Sequence, residues 1–186
     1  FYFKSPAFKQ IFEKMWRNHY MSAALSKKIA ELANIGDPDE MYVMGLLHNV
    51  GELFLLRIFG ELFQRNNNQL LQMDEVLSNI RDWHTTFGSA LITKWNMGDE
   101  FSLLTKHHHD REYFKAEGVD QNLLKKLHVI SLGSQLTSYM GLTYYKRPPV
   151  SFSVQESYEV LELAPETKDG LRLHAQEVFS ELQESQ

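Results

Sequence analysis

Cysteine is missing from all 186 residues. That excludes a disulfide framework and a thiol nucleophile, and it fits a reducing compartment. Apolar runs are short: the richest, around Leu53 to Phe59, is flanked and interrupted by Glu52 and Arg57, well short of the roughly 20 residues a membrane helix needs. No alternating pattern of strand type occurs, nor an internal repeat or a low-complexity segment. An excess of positive charge is missing too. The formal net charge is -5, and the basic residues are scattered as Lys27-Lys28, Lys125-Lys126 and Lys146-Arg147. A phosphate-binding face needs clustered cations, so neither nucleic acid nor a membrane is an expected partner. The chain opens on Phe1 and shows no signal peptide, which suggests a piece cut from a longer cytoplasmic protein.

What is present is ordinary globular composition, with 43% hydrophobic and 23% charged residues, enough for one domain with its own core. The periodicity is helical almost throughout. Ser5-Pro6 reads as a helix start, followed by Phe8, Ile11, Phe12, Met15 and Trp16 at helical spacing and a stripe that runs on towards Leu32. Gly36 stops it, and Asp37-Pro38 starts the next helix, which carries Met41, Met44, Leu47 and His48 with Gly51 near its end. An apolar helix Leu53 to Phe59 follows, then a polar break at "QRNNNQ" and a weaker helical segment, Met73 to Ile80. "DWHTTFGSALITKWNM" sets Phe87, Leu91 and Trp95 on one face, with small Gly88-Ser89-Ala90 beside them to admit a neighbouring helix. Asp99 can cap a helix from Glu100 to His108. "DREYFKAEGVD" reads as a charged loop, Leu123 to Tyr139 as a long helix, and "KRPPV" as a rigid linker. Val154 to Leu163 and Pro165 to Leu182 close the chain as helices. Trp16, Phe87, Leu91 and Trp95 are expected in the core, as are Met41, Met44 and Leu47.

One polar intrusion stands out. "MGLLHNVGELFLL" places a His-Asn pair in an otherwise apolar stretch, where polar groups cost free energy unless they are satisfied or used. Eight histidines are present. His128 and His174 each read as ordinary surface or core residues, and the triplet His107-His108-His109 suits a helix C-terminus. The order of the motifs is more telling: "WRNHYMSAA", "GLLHNVG", "WHTTFGSALITKW", "HHH", then "LHVISLGSQL". From about Trp16 to Leu136 this order resembles the HDOD family, a branch of the HD-domain superfamily whose usual stretch reads "GLLHDIG".

The resemblance implies an all-α fold, an HD-domain-like multi-helix orthogonal bundle. It is taken as one domain over 1–186, with 150–186 forming C-terminal helices packed on the core and the family's N-terminal helical portion absent. It also implies a set of positions. In the superfamily, histidines and aspartates hold one or two divalent metals. His48, His84, His108 and His109 match such ligands here, with His107 as the spare. The first histidine of the family falls on Asn18 or His19. Asn49 stands where the paired aspartate should be, and Ser134 where a late aspartate should be. Glu52 stands where the related HD-GYP phosphodiesterases carry a lysine, and no "GYP" stretch follows. A neutral amide is a poor ligand for a hard cation, so the histidines read as a vestigial metal site at degenerate positions. "HN" is then kept for hydrogen bonds that pin helices together.

Two functions follow from the resemblance. One is a non-catalytic bacterial signal-transduction module that works through other signalling proteins or domains, or by ligand-induced helix repacking, with no cofactor and an unidentified small-molecule ligand. The alternative is a metal-dependent phosphohydrolase acting on a nucleotide or cyclic dinucleotide, with iron, manganese, nickel or zinc on the histidines.

Overall fold

The computed structural model describes residues 5–65, 72–115, 118–145 and 152–184. The linker expected at "KRPPV" lies outside them. Among the described residues the chain is helical, with no strand: α1 (Pro6–Ala33), α2 (Pro38–Leu47), α3 (Val50–Arg65), α4 (Met73–Lys94), α5 (Asp99–His107), α6 (Arg111–Lys115), α7 (Gln121–Tyr139), α8 (Val154–Val160) and α9 (Thr167–Glu184).

Helix α1 is the spine, packed on α2, α7, α9 and α3. Ser5 precedes Pro6 at its first turn, and Asn34, at φ 53°, closes its last turn in the left-handed region. The α2 start is well capped, with the Asp37 carboxylate accepting from the amides of Asp39 and Glu40. One core joins α1, α2, α5, α7, α8 and α9 through Met21, Leu25, Ile29, Met41, Met44, Leu104, Leu127, Tyr158 and Leu171. A second joins α1, α3 and α4 through Phe8, Met15, Leu56, Val76 and Ile80. Helix α8 lies against α7, and α9 against α1 and α7. Buried Lys126 of α7 donates to Glu100 (2.9 Å) and Glu40 (3.5 Å), tying down the first turns of α5 and α2.

Several expectations are corrected. The helix carrying Met41 ends at Leu47, and His48 and Asn49 form a two-residue break before α3, so Gly51 opens α3 rather than closing α2. Pro38–Arg65 taken together is long and apolar enough, by length and composition, to cross a membrane. Its apolar residues are instead used inside the bundle, and 56% of the relevant window is buried there. The segments at Met73 and Asp82 are one uninterrupted helix, α4. Gly98, not Asp99, is the N-cap of α5. The charged "DREYFKAEGVD" stretch contains α6. Trp16 and Trp95, expected in the core, are each 48% exposed, and Phe87 is 38% exposed; Phe87 meets the Phe54 ring, at the edge of the second cluster, at 5.9 Å.

Gly51 and Gly88 set the α3–α4 crossing. A Cβ on Gly51 would fall 2.0 Å from the His84 carbonyl oxygen and 2.7 Å from the Gly88 amide nitrogen. Backbone meets backbone there, and this contact brings His84 beside the first turn of α3.

Candidate metal centre

Four elements bring the site together. The α2–α3 break supplies His48 and Asn49, and the first turn of α3 supplies Glu52. Helix α4 supplies His84, and the end of α5 supplies His108 and His109. His48, His84 and His108 are each 5% exposed or less. The rings form one cluster: centroids lie 5.1 Å apart for His48–His108, 5.3 Å for His84–His108, 5.2 Å for His84–His109 and 3.9 Å for His108–His109.

The tautomers follow from the backbone. His48, His84 and His108 each place Nδ1 2.8 Å from the carbonyl oxygen three residues back, on Gly45, Arg81 and Thr105. A carbonyl can only accept, so each Nδ1 carries the proton and each neutral ring presents Nε2 as an acceptor. Orientation of a ligand imidazole by such a bond is common at metal centres. The Nε2 atoms of His84 and His108 lie 3.4 Å apart. Two acceptors at that distance make no bond to each other. A tetrahedral ion with bonds of roughly 2.0–2.1 Å has ligand atoms about 3.3–3.4 Å apart. One ligand atom from each of His84, His108 and His109 falls within 4.8 Å of the other two. Three imidazoles at this spacing fit one borderline ion such as zinc.

Burial disfavours the charged form of His48, His108 and His109, since a buried charge loses its hydration. His48 is pushed down to about 4 by burial and by its neighbour His19. His109 is pushed down to about 3 by burial and by His84 and His48. His108 is held well below its ordinary value by burial and its three imidazole neighbours. Neutral imidazole is the metal-binding form.

The degenerate positions surround the same place. A narrow cavity of about 30 Å³ is lined by Asn18, Asn49, Glu52, His109 and Ser134, with Tyr144 and Tyr145 closing it. Room of that size holds about two waters or one ion; nucleotide-sized ligands need several hundred Å³. Asn49 lies 3.0 Å from His108 Nε2. Because that nitrogen accepts, the amide pairs with it by presenting its NH₂, a flip that leaves the heavy atoms in place. The "HN" pair thus joins the α2–α3 break to the end of α5. Asn18 and His19 both reach the site: Asn18 Nδ2 donates to the Leu142 carbonyl (2.5 Å), and His19 Nε2 lies 3.1 Å from Glu52 Oε2.

Glu52 differs most from its sequence reading. It is 1% exposed, and besides His19 it accepts hydrogen bonds from Tyr144 and Tyr145, the latter at 2.7 Å. Burial alone would raise its pKa, but the His19 hydrogen bond, the neighbouring His84 and His19 rings and the Tyr144 hydrogen bond bring it down to about 2. It is therefore an ionised carboxylate in the wall of the cavity. The two tyrosines were not legible in the sequence, because "GLTYYK" lies past the end of α7 and carries no periodicity. His107 stands aside, stacked on Tyr113 and 3.3 Å from Asp110. His128 is a core residue that meets the Ser157 hydroxyl at 3.1 Å.

Comparison with known proteins agrees with this geometry. The family model described as "HDOD domain" matches residues 2–111, more than half of the chain. An uncharacterized protein of Treponema pallidum (strain Nichols) is 27% identical over 109 residues, 55% of this chain and 20% of that protein. The chain therefore spans about a fifth of the length of that relative. No solved structure matches the chain. A helical bundle with the His48, His84 and His108-His109 motifs in this order, matched by the family model over most of their span, belongs to the HDOD domain family.

Proposed function

We propose that the chain is a non-catalytic regulatory module, derived from a metal-dependent phosphohydrolase and acting on other signalling proteins or domains by repacking its helices. The observation that carries this reading is Asn49, whose amide meets His108 Nε2 at 3.0 Å. A hydrolytic centre uses carboxylates to neutralise its ions and to bridge them. Here an amide donor faces that nitrogen, and Ser134 lines the cavity where a second carboxylate is absent. The roughly 30 Å³ cavity also leaves no room for a nucleotide beside the tyrosines.

The alternative, a phosphohydrolase of nucleotides or cyclic dinucleotides, draws support from the 3.4 Å approach of His84 and His108. His84, His108 and His109 would hold one ion. Such an ion, when bound, supplies a hydroxide near neutral pH and polarises a phosphoryl oxygen. The chain's own residues offer little beyond that. Glu52 is buried and engaged by three donors, and among the described residues no Lys or Arg lines the cavity to hold a phosphate. The test is hydrolysis of bis-p-nitrophenyl phosphate and of cyclic dinucleotides by protein incubated with iron, manganese or zinc. No turnover above metal and buffer is expected, and turnover abolished by His84→Ala would contradict the reading.

A further inference from the structure

Glu52 and the segment 141–145 are the feature of the site that the family motifs do not account for. Gly141, at φ 81°, turns the chain at the end of α7. From there Thr143, Tyr144 and Tyr145 line the cavity. The segment is held by the Asn18 donation to the Leu142 carbonyl and by the Tyr144 and Tyr145 hydroxyls, both on Glu52. Two of these three anchors use one carboxylate. That carboxylate is negative and 1% exposed, and it lines the cavity together with His109. Its two tyrosine partners are uncharged: burial and the Glu52 charge raise both phenols well above their ordinary value. A buried carboxylate beside neutral imidazoles is the donor set that a divalent transition ion takes, and it supplies the charge that Asn49 no longer does.

We propose that Glu52 is the carboxylate ligand for a divalent transition ion held with the His84, His108 and His109 cluster, and that the Tyr144–Tyr145 strap competes with the ion for it. In the closed state Glu52 is committed to the two tyrosines and His19. Ion binding draws it towards the imidazoles, removes two of the strap's anchors and loosens the segment 141–145. Occupancy of the old metal site is thereby converted into a change in the chain that leaves α7. This rests on the cluster's ability to hold an ion and does not require catalysis.

The test is titration of chelator-stripped protein with Co²⁺, followed by its visible absorption, and with Zn²⁺ by calorimetry. Wild type is compared with Glu52→Gln and with Tyr144→Phe/Tyr145→Phe. One ion per chain is expected in wild type. Glu52→Gln should weaken binding about 10- to 100-fold, the usual effect of losing a supporting group at a metal site, while the tyrosine pair variant should bind more tightly than wild type. Zn²⁺ should also speed amide hydrogen exchange over residues 141–145 in wild type and leave it unchanged in Glu52→Gln. Equal affinity in wild type and Glu52→Gln would overturn the proposal, and so would weaker binding in the tyrosine variant or no binding by either. The opposite signs expected for the two variants keep the test sharp if one of them folds poorly. Phosphodiester turnover by the loaded protein would sink the non-catalytic reading and leave this one standing.

Discussion

Acidification should destabilise the protein in a window set by the buried histidines. His48 titrates near 6.5 when unfolded and at about 4 when folded. Above pH 6.5 both states are neutral there, and the residue contributes no pH dependence. Below it the unfolded chain gains a proton that the folded site refuses, so stability falls until pH reaches about 4 and then levels off. At pH 5 the difference is about 2 kcal/mol for His48. His109, depressed to about 3, and His108 act in the same direction. The loss of about 2 kcal/mol from His48 alone is a sizeable fraction of a typical 5–15 kcal/mol. With a urea slope of about 2 kcal/mol per molar, it moves the midpoint down by at least about 1 M between pH 7.5 and pH 5. Glu52 works lower down: its stabilising charge is fully present above about 4.5 and is lost as pH falls towards about 2. The assay is urea unfolding followed by circular dichroism, with chelator present throughout. A midpoint unchanged between pH 7.5 and 5 would refute the picture of neutral, desolvated imidazoles.

Three further outcomes are expected. Gly51→Ala should cost at least about 3 kcal/mol or abolish folding, because the added carbon meets backbone at 2.0 Å; an unchanged thermal midpoint would contradict the α3–α4 crossing. Asn49→Asp should cost about 1–3 kcal/mol in chelator, since a carboxylate then faces an accepting His108 nitrogen; with Ser134→Asp added it should bind zinc more tightly than wild type, and no gain in calorimetry would misplace the site. Trp16, Trp83 and Trp95 are 48%, 54% and 48% exposed, so acrylamide should quench most of the native tryptophan fluorescence; strong protection would place these side chains in the core after all.

The sequence showed the helices best where one face is apolar and the ends are marked. Helix α1 and the Asp37-Pro38 start of α2 were legible for that reason. The break at His48-Asn49 was not, because apolar residues continue on both sides and the nearby Gly45 and Gly51 lie inside α2 and α3 rather than at the break. The α4 helix was split in the sequence reading because its first half is polar; in the structure only Val76 and Ile80 of that half are buried. The large aromatics misled, since Trp16 and Trp95 follow helical spacing yet lie at the edge of their stripes. The histidine set was legible through motif order, and the four positions do share one cluster. The role of Glu52 was hidden, because its partners His19, Tyr144 and Tyr145 lie 33, 92 and 93 residues away. No local pattern encodes such a contact.

The central claim is that the cluster no longer keeps a resident metal centre. The most direct measurement is metal content, by plasma mass spectrometry, of untagged protein purified without added metal and dialysed against chelator. Substoichiometric metal, with reversible uptake when iron, manganese or zinc is supplied, is the expected result. One or more transition ions per chain retained through dialysis would contradict the claim and return the phosphohydrolase to first place.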